Sequence, residues 1–315
     1  MSDHIPMRVA VVGATGHQGG ATARLLAGRG HPVRTLSRRP GADRPALPGV
    51  LVIDGDLGRQ EDVHRLFDGA THAVVTMPLV YEAEKVMRYA QHLAKAARES
   101  RLRRIVYNAN TRMPSGTTRL AAFETRRLAE TVLREGLADC GAELVVLRPP
   151  VYLDNLFSPW NGPALVDDGV LAYPLPEDSP VAWLSLSDLA GAVAAALTAE
   201  GVGGRSFDIG GARSLTGAEL AEAFGRGLGR TVEYRPLGPE VFERTLARIL
   251  GPASAHGVAG VYHFMAGRTE PLLMADDGGE WTKALDTAPA PVEEWVARQP
   301  WRTWSERPAQ TAEPA

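Results

Sequence analysis

The segment from Arg8 to about residue 29 constrains this chain more than any other. A β-branched run, Val9-Ala-Val-Val12, stops at Gly13, and a helical pattern follows with Ala21, Leu25 and Leu26 on one face. Strand, tight turn and helix in that order make half of a crossover unit, and the alternation continues. Residues 33–37, 50–53 and 73–76 read as further strands, with a short helical stretch over 61–67. Residues 81–98 predict a long helix, 104–107 a fifth strand, 121–134 a helix and 144–147 a sixth strand. Strands joined by helices run parallel, so these elements predict one doubly wound α/β sheet of Rossmann type. Ligands of such sheets sit at the carboxyl ends of the strands.

Pro149-Pro150 ends the regular alternation, and the stretch to about residue 180 is rich in Pro, Gly and Asp, as expected of loops that build a pocket. Residues 187–198 predict an alanine-rich helix and 206–209 a strand, so that about 181–212 is expected to return to the sheet. Thr216-Gly-Ala-Glu219 reads as a capping box, with Leu215 and Leu220 as its hydrophobic staple. Residues 240–267 look helical but contain Gly251-Pro252 and Gly257, which predicts helices interrupted by a turn. Residues 276–280 read as a loop, 292–298 as a last helix and 305–315 as a disordered tail. The expected organisation is a dinucleotide-binding domain over 1–150 and a smaller, mainly helical substrate region over 151–304.

Composition narrows the partners. With 315 residues, 44% hydrophobic and 23% charged, the chain has ordinary globular usage. A net charge of -3 and a pI near 6.3 supply no field for nucleic acid or an anionic membrane. No apolar run approaches the ~20 residues of a membrane span, and residues 1–6 lack the apolar stretch of a secretion signal. Cytoplasm is the expected compartment, with the protein a monomer or homodimer. The single cysteine, Cys140, excludes an intramolecular disulfide and a multi-cysteine metal site, and reads as a small buried residue; no metal is expected.

Gly13, Gly16 and Gly19, with Thr15, His17 and Gln18 between them, lie where backbone N–H groups and a helix N-terminus can receive a pyrophosphate. The first gap is one residue longer than in G-x-G-x-x-G, and the same glycines also suit an ordinary tight turn. NAD-selective sites place a carboxylate at the end of the second strand, on the ribose 2′-hydroxyl. Here that strand ends Ser37-Arg38-Arg39, with no carboxylate until Asp43. An arginine there can pair with a 2′-phosphate, so NADP(H) is expected over NAD(H); the other reading is a solvated charge pair. Asp56 and Leu57 after the third strand, and Thr76, Met77 and Pro78 after the fourth, are placed to border the adenine and ribose, or to act as turn and helix caps. Asn108 after the fifth strand, and Pro149 and Val151 after the sixth, complete the candidate lining.

Val11-Val-Gly-Ala-Thr-Gly-His-Gln-Gly-Gly20, Arg34-Thr-Leu-Ser-Arg38, Gly55-Asp-Leu57 and Leu147-Arg-Pro-Pro-Val-Tyr-Leu-Asp-Asn155 resemble the NmrA-like family of atypical short-chain dehydrogenases. Leu186-Ser-Asp-Leu-Ala190, Phe207-Asp-Ile-Gly210, the helix start at Leu215-Thr216 and Pro291-Val-Glu-Glu-Trp295 extend the resemblance over nearly the whole chain. It implies NAD(P)(H) binding, in a family that holds reductases of quinones and other aromatic compounds as well as regulators that bind the dinucleotide without turnover. Short-chain dehydrogenases use a Ser or Thr after the fifth strand and a Tyr-x-x-x-Lys pair on the next helix, where lysine lowers the tyrosine pKa. Here Asn110 falls at the serine place, Arg126 at the lysine place and Ala122 at the tyrosine place, while a shift of one would pair Phe123 with Arg127. Neither register supplies a phenol. Members of the NmrA-like family often lack that tyrosine yet keep the lysine; an arginine keeps the charge but does not readily give up a proton.

A proton must therefore come from Tyr81, Tyr152 or solvent, although a lone tyrosine is more often a packing residue. His263, beside aromatics, has a similar standing. Asn110 is suited to donate to an oxyanion or carbonyl, or to fix its loop. The expected function is NADPH-dependent reduction of a small apolar or aromatic carbonyl, enone or quinone, held between the sheet and the loops of 150–180 and 240–275, with Asn110 and Arg126 orienting cofactor or polarising substrate. A dinucleotide-sensing regulator and a non-redox cyclase or lyase are the alternatives.

Overall fold

In a computed structural model of the protein, residues 6–39, 47–266, 274 and 279–305 are described. Asp43, most of the segment read as a loop over 276–280, and residues 306–315 of the expected tail lie outside them.

The strands are β1 (Val9–Val12), β2 (Val33–Ser37), β3 (Val50–Asp54), β4 (His72–Thr76), β5 (Arg104–Asn108) and β6 (Glu143–Arg148). The helices between them are α1 (His17–Gly28), α2 (Gln60–Phe67), α3 (Ala83–Glu99) and α4 (Ala121–Leu137). After a break, α5 (Leu186–Ala196) leads to β8 (Ser206–Asp208), which pairs with β6. The sheet has seven parallel strands in the order β3-β2-β1-β4-β5-β6-β8.

Near-continuous apolar strands suit a sheet covered on both faces, because successive side chains point to opposite sides. Ala10, Val12, Ala73, Val75, Ile105, Tyr107, Leu144 and Val146 pack with α2, α3 and α4. Their neighbours Val9, Val11, Val74, Val106, Val145 and Leu147 pack with α1 and α5 on the other face. Strand order reverses between β1 and β4, which opens a crevice at the carboxyl ends of those two strands.

A third core holds the C-terminal half together. Its helices are α6 (Gly217–Leu228), α7 (Pro239–Leu250), α8 (Pro252–Ala266), α9 (Glu280–Leu285) and α10 (Val292–Ala297). The region also contains a two-stranded parallel sheet, β7 (Val170–Tyr173) with β9 (Glu233–Pro236), where the sequence reading has only loop and helix. Each of these strands has four residues, and one of them ends in proline, too little pattern to register as a strand. Likewise α9 starts at Glu280, inside the expected loop. The turn expected within 240–267 falls at Gly251, whereas Gly257 lies inside α8 without breaking it. Cys140 is half-buried, its thiol donating to the Leu137 carbonyl at 3.1 Å.

The capping box forms as read: the Thr216 hydroxyl accepts from the Glu219 N–H at 3.3 Å, and the Glu219 carboxylate accepts from the Thr216 N–H at 2.8 Å. Thr216→Ala removes that acceptor from the start of α6. A loss of about 1 kcal/mol in urea unfolding is expected, and an unchanged midpoint would show the cap to be dispensable.

Candidate active site

At the crevice, Gly13 adopts a φ of +84° and abuts the end of β4: a Cβ there would come 2.8 Å from the Thr76 carbonyl oxygen. A Cβ on Gly19 would lie 2.4 Å from the Gly13 carbonyl oxygen, so the start of α1 rests directly on the turn. Gly16 is different, because its nearest neighbour would be 3.4 Å away. The Gly16 N–H closes the turn on the Gly13 carbonyl at 2.9 Å. No side chain caps α1 and no acid stands in its first turn, so the positive end of the helix dipole has no built-in counter-charge. Thr15 is half-buried and His17 exposed beside it.

Gln18 is tied down. Its Oε1 accepts from Asn108 Nδ2 at 2.7 Å and from the Tyr152 hydroxyl at 3.0 Å, which locks the glycine loop to the ends of β5 and β6. This changes the reading of Tyr152. It is buried, burial pushes its pKa upward, and its only proton is committed to Gln18, so it anchors the loop and is not placed as a proton donor. Pro149 and Val151 are buried behind it, with the Val151 carbonyl accepting from Leu184 N–H at 3.1 Å.

At the end of β2, Ser37 is buried and its Oγ accepts from the Arg39 N–H at 3.2 Å. Arg38 and Arg39 are exposed. Arg38 Nε lies 4.0 Å from Asp56 Oδ2, while Asp56 Oδ1 accepts from Gly58 N–H at 2.6 Å and so shapes its own turn. Asp62, absent from the sequence reading, organises this corner. Its carboxylate accepts from the Asp56 N–H at 2.9 Å, and that bond, with Arg65 and Arg59 nearby, holds its pKa below the ordinary value. Leu57 is half-buried, with its carbonyl accepting from His92 Nδ1 at 2.8 Å.

The two positions that replace the short-chain serine and lysine converge on one loop. Asn110 has a φ of +67°, a left-handed conformation uncommon outside glycine. Its Nδ2 donates to the Met77 carbonyl at 3.2 Å and its backbone N–H donates to Asn108 Oδ1 at 3.0 Å. A carbonyl only accepts, so the amide nitrogen must face Met77, and Oδ1 is left buried without a partner among the described residues. The expected donor to an oxyanion is thus an orphan acceptor. Arg126 is 2% exposed, and its guanidinium donates to the Val80 carbonyl at 3.1 Å and the Pro78 carbonyl at 3.4 Å. It also lies 5.1 Å from the Tyr81 ring centroid. Burial raises the Tyr81 pKa, with Arg126 pulling the other way.

The alternative register fails on geometry. Phe123 is buried edge-on to Phe264, and Arg127 donates to Glu124 and to the carbonyls of Pro114 and Gly116, away from the crevice. His263 joins α8 to α7 through Glu243, at 2.8 Å, and is structural. Among the described residues no cluster of His, Cys, Asp and Glu is placed to hold a metal ion, and no helix is long and apolar enough to cross a membrane.

Comparison with known proteins agrees with this architecture. The family model described as the NmrA-like family matches residues 6–293. The chain belongs to the NmrA-like family. A (4-alkanoyl-5-oxo-2,5-dihydrofuran-3-yl)methyl phosphate reductase from Streptomyces griseus is 31% identical over 240 residues, covering 76% of this chain and 80% of that protein. The NAD(P)H azoreductase of Xenophilus azovorans is 25% identical over 300 residues, covering 95% and 96%. The solved structure of NmrA, a negative transcriptional regulator, in complex with NADP shares the fold with a TM-score of 0.71 at 21% identity, covering 94% of this chain and 95% of that one. Within this NmrA-like chain, the glycine loop and the loop after β4 border the switch point between β1 and β4, and Arg38 follows the neighbouring strand β2.

Proposed function

We propose that the protein is an NADPH-dependent reductase of a small apolar or aromatic carbonyl, enone or quinone. The observation that carries the reading is the crevice itself. A glycine turn against β4, an uncapped helix start and an arginine at the end of β2 converge there, and each suits one part of NADP(H). The names of the Streptomyces and Xenophilus relatives, both reductases, support the reaction class; NmrA is solved with NADP and with NAD, which supports a dinucleotide in the crevice, and Arg38 carries the choice of NADP(H). Gly13, Gly16 and Gly19 would hold the pyrophosphate, Arg38 the 2′-phosphate, and the orphan Oδ1 of Asn110 would accept from a hydroxyl or amide N–H of the bound group. When bound, the dinucleotide supplies hydride; the chain positions it and the substrate and excludes water.

Cofactor choice is tested by titrating NADPH and NADH against wild type and Arg38→Ala. Arg38 is largely exposed, so the lost phosphate contact is discounted for solvent screening, to about 1.4 kcal/mol or tenfold in NADPH affinity, with NADH unchanged. An equal effect on both cofactors would remove Arg38 from the 2′-phosphate.

A second reading has its own support. Asn110 and Arg126 both commit donors to loop carbonyls, an arrangement that serves binding without turnover, as suits a dinucleotide-sensing regulator. Tight NADPH binding with no substrate-dependent loss of 340 nm absorbance across a panel of quinones, enones and aldehydes would favour it.

A further inference from the structure

Arg126 from α4 and Asn110 from the end of β5 fix the carbonyls of Met77, Pro78 and Val80. The next residue in that loop, which follows β4, is Tyr81, and it is half-buried. Its ring is held from two sides. The Arg126 guanidinium lies 5.1 Å from its centroid, and α8 meets it at Gly257, where a Cβ would fall 2.1 Å from a ring carbon. Gly257 is therefore glycine because Tyr81 needs the space, which explains a residue that otherwise only weakens a helix. Three residues further along α8, Gly260 closes on Ala122, its virtual Cβ 3.4 Å from the alanine methyl. The place where a short-chain tyrosine would stand on α4 is covered by α8. A phenol is present beside the cation all the same, delivered from a different element.

We propose that Tyr81, paired with Arg126, is the proton donor of this active site, so that the phenol–cation pair usual on one helix is divided between the loop after β4 and α4. The proposal rests on the reductase reading above. The substrate would take the hydride and its electron pair from bound NADPH; the Tyr81 O–H bond breaks and the proton passes to the substrate oxygen, completing the alcohol or hydroquinone. The bonding electrons stay on the phenolate oxygen, the Arg126 guanidinium offsets that charge, and water returns the proton. Among the described residues, Arg126 from α4 and Tyr262 from α8 are the charged and titratable groups that face Tyr81. A phenol is protonated at neutral pH in any case; burial raises the Tyr81 pKa further, which opposes proton release, and Arg126 pulls it back by stabilising the phenolate.

The deciding experiment compares wild type, Tyr81→Phe, Arg126→Gln and Arg126→Lys in the full-length protein. NADPH dissociation constants and kcat over a quinone and enone panel are measured between pH 6 and 10, in H2O and D2O. Tyr81→Phe keeps the ring, its contact with Arg126 and its fit against Gly257. It is expected to lower kcat at least 100-fold, to leave NADPH affinity within twofold and to abolish the solvent isotope effect. Because the Tyr81 pKa lies above the ordinary phenol value, kcat of wild type is expected to show no alkaline limb up to pH 10; Arg126→Gln should lower kcat across that range, and Arg126→Lys should recover at least tenfold of the lost rate. If wild type reduces a panel member and Tyr81→Phe matches it within threefold, the proton-donor assignment is wrong while the reductase reading stands. If wild type binds NADPH and reduces nothing, the reductase reading fails and takes the assignment with it.

Discussion

Gly19→Ala is expected to raise the NADPH dissociation constant at least ~100-fold and to lower the unfolding free energy by about 2–3 kcal/mol. The added methyl would sit 2.4 Å from the Gly13 carbonyl oxygen, 2.6 Å from its carbon and 2.9 Å from Ala14 N. All three are backbone atoms, so no side chain is available to swing aside. Relief requires moving the turn or tilting α1, and α1 is held by β1 on one side and α5 on the other. Either movement displaces the N–H groups that would face a bound pyrophosphate. Gly16→Ala is the control, because its methyl meets nothing closer than 3.4 Å and its φ of -94° is ordinary for alanine. It should fold within about 1 kcal/mol of wild type. Urea unfolding and NADPH fluorescence titration read the two effects separately, and wild-type affinity in Gly19→Ala would sink the glycine loop as the binding site.

The sheet was legible because buried parallel strands read as apolar runs and their crossover helices as amphipathic spacers; even β8 could be placed, within 206–209. The strands β7 and β9 were not: β7 is a short apolar run set in a stretch rich in Pro, Gly and Asp that reads as loop, and β9 has one apolar side chain before its terminal proline. Gly257 shows a different kind of limit. A glycine in a helical segment signals either a break or a close approach, and the sequence does not say which chain will approach. Here it is Tyr81, 176 positions earlier, that decides. The positions of Asn110 and Arg126 on their elements were readable, but their partners were not. Those partners are the carbonyls of Met77, Pro78 and Val80, and every residue carries a carbonyl, so residue type holds no trace of the contact. Tyr152 illustrates the same point. It stands at the end of β6 as expected, yet Gln18 takes its proton.

Glu130→Ala is expected to cost about 3 kcal/mol, because it leaves Arg148 largely buried without its counter-ion. Glu130 lies one turn beyond Arg126 on α4, and its side chain is 11% exposed. Arg148 Nη2, from β6, donates to both carboxylate oxygens at 2.9 Å, and Arg134 Nη2 donates at 3.0 Å. Ser206, from β8, adds its hydroxyl at 3.2 Å. The carboxylate thus joins α4, β6 and the three-residue strand β8, adding side-chain bonds to the ladder that pairs β8 with β6. Burial pulls the Glu130 pKa up, but Arg148 and Arg134 together outweigh it and hold it below the ordinary value. A folded-state pKa lower than the unfolded one contributes stability that is full above pH ~4.5 and is lost as pH falls through the folded value. The difference between wild type and Glu130→Ala should therefore be largest near pH 7 and should narrow below pH ~4.5. Urea unfolding at both pH values measures this, and an equal loss at each would mean that packing, not charge, is what Glu130 provides. Because the same helix carries Arg126, the variant should also loosen the loop that presents Tyr81, lowering kcat before it lowers NADPH affinity.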